Sequence, residues 1–435
     1  MSRAKPVLIV SSGNFLEMYD FMVFGYYAKA IGNAFFPAIN PTASLLLALM
    51  TFGAGFLMRP IGAFILGAYI DRHGRRKGLL LTLALMGLGT LSIALTPTYR
   101  SIGLLAPLVV LVGRLVQGLS AGVEVGGASV YLAEIATEGR KGFFVAWQSA
   151  SQQLAVIFAS LLGLVLNALI SSTSMADWGW RVPFGIGSLL LPFLLLVRSN
   201  LSETQNSTSS DQRVQFQVAF RMILQNWRIV GLGTSMVMMT TVFFYTITAY
   251  TPTYGATVLG LTPINAMIVT LIVGTVNFIM LPTMGAVSDR YGRLRPLIIS
   301  ALLGASTGYL ALLWMVGQPS FARLLAVEIW LALIYSTYNG AMVVYLTEIM
   351  PKDVKTTGFS LAYSLATAVF GGFTPALVTY LIFLTGNRAA PGIWLSSVAI
   401  CSFAGIVLIS KVVTKPGAAG ATQDAQASLG AMISQ

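Results

Sequence analysis

Residues 67–78 read GAYIDRHGRRKG, and residues 285–296 read GAVSDRYGRLRP. The two stretches share Gly, Asp-Arg, Gly and Arg at matching positions, 218 residues apart. A second pair keeps the same order: YLAEI at 131–135 returns as YLTEI at 345–349, 214 residues apart. Two markers repeated in order at nearly one offset imply a duplicated chain. Each loop motif also joins two long apolar runs. The small residues let two helices approach closely, the acid at a helix end can pair across the loop, and the cationic cluster stays out of any apolar phase. These features describe a gate or, in a plainer reading, a topology signal. They do not describe a substrate site.

The composition fixes the phase in which the chain lives. Of 435 residues, 56% are hydrophobic and only 9% charged, with a mean hydropathy of +0.79. A soluble domain is about one quarter charged, so this chain lacks the polar material to cover a water-facing surface. Apolar runs of about 20 residues recur, long enough to cross a hydrocarbon core as helices. The expected fold is an all-α integral membrane protein of twelve transmembrane helices, over 7–31, 44–70, 78–97, 102–132, 143–170, 179–198, 229–255, 263–287, 297–316, 320–346, 357–384 and 391–411. The polar connection 199–228 separates a six-helix half, 1–198, from a second, 229–411, and 412–435 reads as a flexible tail. A cleaved leader does not fit, because Glu17 and Asp20 would interrupt its apolar core.

The net charge of +12 reflects topology rather than nucleic-acid binding. With the N-terminus inside, one side of the predicted bundle receives Arg3, Lys5, Arg72, Arg75, Arg76, Lys77, Arg140, Lys141, Arg290, Arg293, Arg295, Lys352, Lys355, Lys411 and Lys415, among others. The opposite loops and span ends hold Lys29, Arg100, Arg181, Arg323 and Arg388. That bias places both termini in the cytoplasm. Parallel duplicated halves with a binding site between them are a secondary-transporter architecture.

Gly67, Asp71, Arg72, Gly74 and Arg75, with Gly285, Asp289, Arg290 and Arg293 in the second copy, resemble the hallmark gating loop of the major facilitator superfamily. Longer stretches resemble its metabolite:proton symporter branch: NFLEMYDF (14–21), FGAGFLMRPIGAFILGAYIDRHGRRKG (52–78), GRLVQGLSAGVEVGGASVYLAEI (113–135) and GFSLAYSLATAVFGGFTP (358–375). Within that branch the resemblance is to bacterial citrate–proton and tricarballylate–proton symporters. It implies the partners of the chain: protons, a tricarboxylate substrate and the lipid bilayer of a bacterial inner membrane, with a monomer as the working unit and no cofactor.

Several ionisable groups lie inside the predicted spans. A charge at bilayer depth is normally paired or lines an aqueous cavity. At ~1.5 Å per residue, Asp20 lies ~20 Å from the start of its span and Arg59 ~18 Å from Asp71; Arg114 is similarly deep. Gly13, Glu17, Asp20, Phe24 and Tyr27 share one helix face. Arg114, Gln117, Ala121 and Glu124 share a stripe on the fourth span, beside Gly118, Gly122 and Gly126 at a spacing that suits close helix packing. The second half offers mainly neutral groups: Tyr245, Tyr250, Asn277, Tyr335, Tyr338, Asn339, Tyr363 and Thr367, with Glu328 as its one acid well inside a span.

The expected proton-coupling residues are therefore Asp20, Glu17, Arg114 and Glu124. The expected substrate-binding residues are Arg59, Arg114, Tyr26, Gln117, Gln148, Gln152, Tyr335 and Asn339. In this scheme Asp20 carries the proton, and its protonation releases Arg114 for a substrate carboxylate. Arg59 supplies a second planar guanidinium. Proton-coupled sugar transporters of the superfamily likewise set an acid in the first span and an arginine in the fourth, an analogy only. The alternatives stay open at this point. Asp20–Arg114 as a static ion pair, Arg59 as an anchor for a helix end, Glu124 as a packing partner, and Tyr26 as packing are all consistent with the sequence.

Other functions find less support. A channel lacks a filter-like repeat, and no GxxxxGK[ST] loop supports an ATP-driven pump. One histidine, His73, and one cysteine, Cys401, leave no catalytic triad, His-cluster metal site or multi-cysteine site. A dicarboxylate substrate and export remain alternatives within the transporter class.

Overall fold

A computed structural model describes residues 4–38, 40–73, 75–122, 124–189, 227–350 and 355–413, with some side chains in the first helix and around residues 64–79 and 123–127 outside the description. Among these residues the chain is helical throughout, without strands. The first set of helices comprises α1 (Ala4–Tyr26), α2 (Ala28–Phe35), α3 (Pro41–His73), α4 (Arg75–Leu95), α5 (Leu105–Ala121), α6 (Glu124–Ile135) and α7 (Lys141–Leu169), followed by a helical run at 181–189. The second set comprises α8 (Trp227–Tyr245), α9 (Thr251–Thr257), α10 (Pro263–Tyr291), α11 (Leu294–Gly317), α12 (Phe321–Ile349), α13 (Lys355–Ala366), α14 (Thr374–Thr385) and α15 (Ala390–Val413). Among the described residues, eight helical stretches are long and apolar enough to cross a membrane, including Pro263–Tyr291 and Phe321–Ile349. The connection 199–226 and the tail from 414 lie outside the described residues.

Local chemistry sets the helix starts. Thr262 accepts a hydrogen bond from Asn265 N (3.2 Å) with Pro263 following as the first helical residue, and Ser320 accepts from Arg323 N (3.2 Å). Both are side-chain N-caps, which satisfy a donor that the first turn leaves orphaned. Several spans depart from plain α-helix. The first predicted span breaks at Tyr27. The fourth, 102–132, divides into α5 and α6, with a short helix at Tyr99–Ile102 leading into it. Two π turns, Thr246–Tyr250 and Thr367–Gly371, interrupt what the hydropathy pattern reads as continuous helices. A proline follows each closely, Pro252 and Pro375, at the start of the next helix. The missing proline N–H and the widened turn go together, since neither can continue the i→i−4 ladder.

Packing within the first set relies on glycine. A Cβ added at Gly118 would collide with the Gly55 carbonyl oxygen, and one at Gly122 with the Arg59 carbonyl oxygen. So α5 lies backbone-to-backbone on α3, which holds Arg59 and Arg114 in register across the crossing. The two sets meet along several lines. Helix α7 packs on α10 and α12, α1 on the π turn at 246–250, and α3 on α14. Gly285 and Gly142 form one such contact: a Cβ on Gly285 would sit 2.5 Å from the Gly142 carbonyl oxygen.

Candidate functional site

The site is assembled by α1, α3, α4 and α5 and closed by the second set. Arg114, Asp20, Glu17 and Arg59 are 0%, 1%, 2% and 3% exposed. Four charges are thus withdrawn from solvent together, and each is matched. Arg114 Nη1 donates to Asp20 Oδ2 (3.2 Å), and Arg59 Nη2 donates to Glu17 Oε1 (2.7 Å). Uncompensated, any one of them would be strongly destabilising, so the pairing is a condition of folding as well as a property of the site.

Asp20 belongs to a closed ring of hydrogen bonds. Arg114 Nη1 also donates to Gln117 Oε1 (2.9 Å), Gln117 Nε2 donates to Thr90 Oγ1 (3.1 Å), and Thr90 Oγ1 donates to Asp20 Oδ1 (2.8 Å). Three helices, α1, α4 and α5, are linked through one carboxylate. The helical spacing of Arg114 and Gln117 is what lets both side chains face Asp20. Glu17 lies one turn earlier on α1, beside a cavity of about 10 Å³ that Thr82 and Ser120 also line, the size of one water molecule.

Aromatic rings enclose both guanidinium groups. Arg114 Cζ lies 4.5 Å from the ring centres of Phe21 and Phe24 and 5.3 Å from that of Phe52. Arg59 Cζ lies 4.4 Å from Phe56 and 4.8 Å from Phe21. Ring faces attract cations without taking up their N–H donors. The consequence is specific: the Nε and Nη2 atoms of Arg114 and the Nε of Arg59 are buried and have no hydrogen-bond partner among the described residues. The Nε–Nη2 edge is the fork that binds a carboxylate through two parallel hydrogen bonds. Both arginines are tethered to an acid by one corner, with donor capacity left over.

The second set closes over this cluster with aromatic hydroxyls. The Tyr245 ring lies 5.1 Å from Phe56 and 6.0 Å from Phe52. Tyr245 is within electrostatic reach of Arg59, Arg114 and Glu17, and Tyr363 within reach of Arg59 and Glu17. Gly372, beyond the second π turn, packs against Phe56.

Other residues expected at the site from the sequence are placed as follows. Gln117 sits inside the Asp20 ring, committed to Arg114 and Thr90. Tyr26 is buried with a hydroxyl that has no partner, and Gln148 accepts from Ser149 Oγ (2.9 Å) while its amide nitrogen has none. Gln152 is buried. Tyr335 accepts from Asn339 Nδ2 (3.4 Å), and Asn339 Oδ1 is without a partner. The Glu124 side chain, Gly74, and the side chains of Asp71, Arg72 and Arg75 lie outside the described residues, as does the surrounding of Gly67. The sequence reading left out the pairing of Arg59 with Glu17, the ring member Thr90, and the phenylalanine cage. The spacing of Phe52, Phe56 and Arg59 along α3 was the available signal for the cage.

The second copy of the repeated loop motif, around Asp289 and Arg293, forms a hydrogen-bonded cluster. Asp289 accepts from the backbone N–H groups of Gly142 (2.7 Å) and Phe143 (2.9 Å), so a carboxylate caps the start of α7 across the junction of the two sets. Arg293 donates to Asp289 Oδ1 (2.7 Å), Ser288 Oγ (2.9 Å) and Glu348 Oε1 (3.1 Å). Glu348 belongs to the YLTEI repeat, so the two sequence markers meet in space. The Arg290 guanidinium lies 5.5 Å from the ring centre of Tyr291.

A bundle of membrane-length helices around two buried arginine–carboxylate pairs is the layout of a multi-pass membrane transporter. The chain belongs to the Major Facilitator Superfamily, whose profile matches residues 10–375. It is 54% identical over 400 residues to the citrate-proton symporter of Klebsiella pneumoniae, covering 92% of this chain and 90% of that one. It is 34% identical over 375 residues to the alpha-ketoglutarate permease of Escherichia coli K12, covering 85% of each. Among solved structures, a D-xylose-proton symporter superposes with a TM-score of 0.74 at 17% identity, over 91% of this chain and 96% of the other, a likeness of fold.

Proposed function

We propose that this chain is a proton-coupled symporter that brings citrate into a bacterial cell by alternating access. Its two halves, 1–198 and 229–411, would rock about the buried arginine cluster, with twelve spans and both termini in the cytoplasm. The distribution of basic residues supports that orientation, and the loops flanking Asp71 and Asp289 supply the gate. The relatives named citrate-proton symporters support the substrate. The observation in the molecule that carries the reading is the unused Nε–Nη2 edge of Arg114, directly beside Asp20.

The charge balance supplies the coupling. Two guanidinium groups and two carboxylates leave the cluster neutral. A multiply charged anion enters such a site only if positive charge appears there. Protonating Asp20 releases Arg114, and protonating Glu17 releases Arg59. Each proton creates one net positive charge and frees one bidentate donor. Substrate and protons therefore enter together, and the occupied site is again close to neutral, the state in which a buried cluster can cross between open forms. Tyr245, Tyr363, Tyr335 and Asn339 then provide hydroxyl and amide partners from the second set, with Tyr26, Gln148 and Gln152 from the first.

The test is uptake by proteoliposomes under an imposed proton gradient, with citrate, tricarballylate, isocitrate and 2-oxoglutarate compared side by side. Gradient-dependent accumulation of citrate is expected, with 2-oxoglutarate taken up weakly. Preference for 2-oxoglutarate would move the assignment to a dicarboxylate. Flux that neither saturates nor responds to the gradient would point to a channel.

A further inference from the structure

Glu328, on α12, is remote from the arginine cluster and takes no part in the scheme above. It is 5% exposed. Its Oε1 accepts from Thr251 Oγ1 (2.8 Å), and its Oε2 has no hydrogen-bond partner. No basic side chain lies within 4 Å of it among the described residues. A carboxyl group so placed has one hydroxyl donor and, among the described residues, no counter-charge, an arrangement unlike that of Asp20 or Glu17.

Its partner sits on a junction between the two sets of helices. Thr251 directly follows the π turn Thr246–Tyr250, which packs on α1. A Cβ on Gly25 would lie 3.0 Å from the Ala249 carbonyl oxygen, and Thr253 Oγ1 donates to the Gly25 carbonyl oxygen (3.2 Å). Thr251 therefore lies between two residues, Ala249 and Thr253, that both touch Gly25 of α1. We propose that Glu328 is a second proton-binding site, loaded and emptied as the junction of Gly25, Ala249 and Thr253 closes and opens. The acid takes its proton from water on one side of the membrane and returns it to water on the other. This rests on the reading of the chain as a proton symporter.

The groups around Glu328 leave it to act alone. Tyr254, from α9, is within its electrostatic reach and donates to the Arg388 carbonyl oxygen (2.7 Å), with the Arg388 guanidinium also acting on Tyr254. Tyr250, from the π turn, accepts from Thr379 (2.9 Å). On α12 itself, Arg323 is held by the Trp314 carbonyl oxygen and Gln318. Of the neighbouring helices, α10 turns Asn277 to Ser336, and α11 turns Tyr309 to Asn387. Tyr245 on α8 and Tyr363 on α13 lie with Arg59 instead.

Reversal potentials of citrate-driven current in proteoliposomes count the protons moved per substrate. Glu328→Gln is expected to transport one proton fewer per citrate than the wild type, and Glu328→Asp to restore the count. An unchanged count in Glu328→Gln overturns the assignment. Should that variant fail to fold, Thr251→Val decides: removing the Thr251 hydroxyl that donates to the carboxylate is expected to move the pH midpoint of uptake upward by about one unit at unchanged stoichiometry. A midpoint that stays in place overturns the assignment. Wild-type protein that accumulates no citrate under a gradient refutes the symporter reading instead, so the two failures are distinct.

Discussion

Between residues 4 and 189, each deeply buried carboxylate with a described environment meets a guanidinium: Asp20 with Arg114 and Glu17 with Arg59. Between residues 227 and 413, the buried carboxylate of Glu328 meets the Thr251 hydroxyl. The same problem, an acid withdrawn from water, has two solutions with different consequences. In the first, under the proposed mechanism, protonation would release a cation, so that an anion could follow the proton. In the second, protonation releases nothing that attracts substrate. Duplication supplied two similar frames, and the charged chemistry was concentrated in one of them. The difference teaches that an acid at depth and an acid that holds a cation are separate devices, and the proposed coupling of proton to anion rests on the second.

The largest expected effect tests that difference directly. Asp20→Asn removes the acid and leaves Arg114 permanently released. Gradient-driven accumulation of citrate should fall by about 100-fold, ~2.7 kcal/mol of lost coupling, while exchange of internal for external citrate persists. Full concentrative uptake by this variant would show Asp20–Arg114 to be a static helix clamp. Arg114→Lys comes next. Lysine keeps the charge but loses the planar fork, so the apparent affinity for citrate should weaken by about 10- to 100-fold. Unchanged affinity in this variant would remove the carboxylate-binding role argued from the free Nε–Nη2 edge.

The sequence made some of this legible and hid the rest for physical reasons. Asp20, Arg114 and Gln117 could be found because helical periodicity places them on faces, and because a charge inside an apolar run is rare enough to stand out. The repeated loops disclosed the duplication, and Arg293 with Glu348 joins both markers in one cluster. What periodicity cannot supply is the rotation of one helix against another. Whether Glu17 would meet Arg59 depended on how α1 crosses α3, and the place of Arg114 beside them on how α5 crosses α3, where Gly118 meets Gly55 and Gly122 meets Arg59 backbone to backbone. The phenylalanine cage was harder to see: a phenylalanine in a membrane span is unremarkable alone, and only the spacing of Phe52 and Phe56 ahead of Arg59 marked it. The π turns at 246–250 and 367–371 have an i→i+5 register that only the surrounding packing selects, although the nearby Pro252 and Pro375 marked both places.

The glycine crossing provides a further test, in stability rather than transport. Gly118→Val places a Cβ where the Gly55 carbonyl oxygen stands, so α5 must move off α3. A loss of about 1–3 kcal/mol is expected, read as a lower unfolding temperature of the purified protein. Gly185→Ala serves as the control, because a Cβ there meets nothing within 4 Å. Equal unfolding temperatures for the two variants would mean that the crossing does not fix the register of the two arginines.

The smallest effect bears on what the second set of helices contributes. Tyr245 is buried against Phe52 and Phe56, so its ring packs the cage whether or not its hydroxyl binds substrate. Tyr245→Phe keeps the ring and deletes the hydroxyl. If that hydroxyl donates to a substrate carboxylate, the apparent affinity for citrate should fall by about 3- to 10-fold, corresponding to one hydrogen bond of ~0.5–1.5 kcal/mol. The stoichiometry should not change, because no proton is held there. A second reading, in which Tyr245 only closes the lid over Arg59 and Arg114, predicts unaltered affinity in Tyr245→Phe and a loss only in Tyr245→Ala, where the ring itself is gone. Comparing the two variants thus separates a hydroxyl that recognises the anion from a ring that shuts out water, and assigns the second set of helices to binding or to closure.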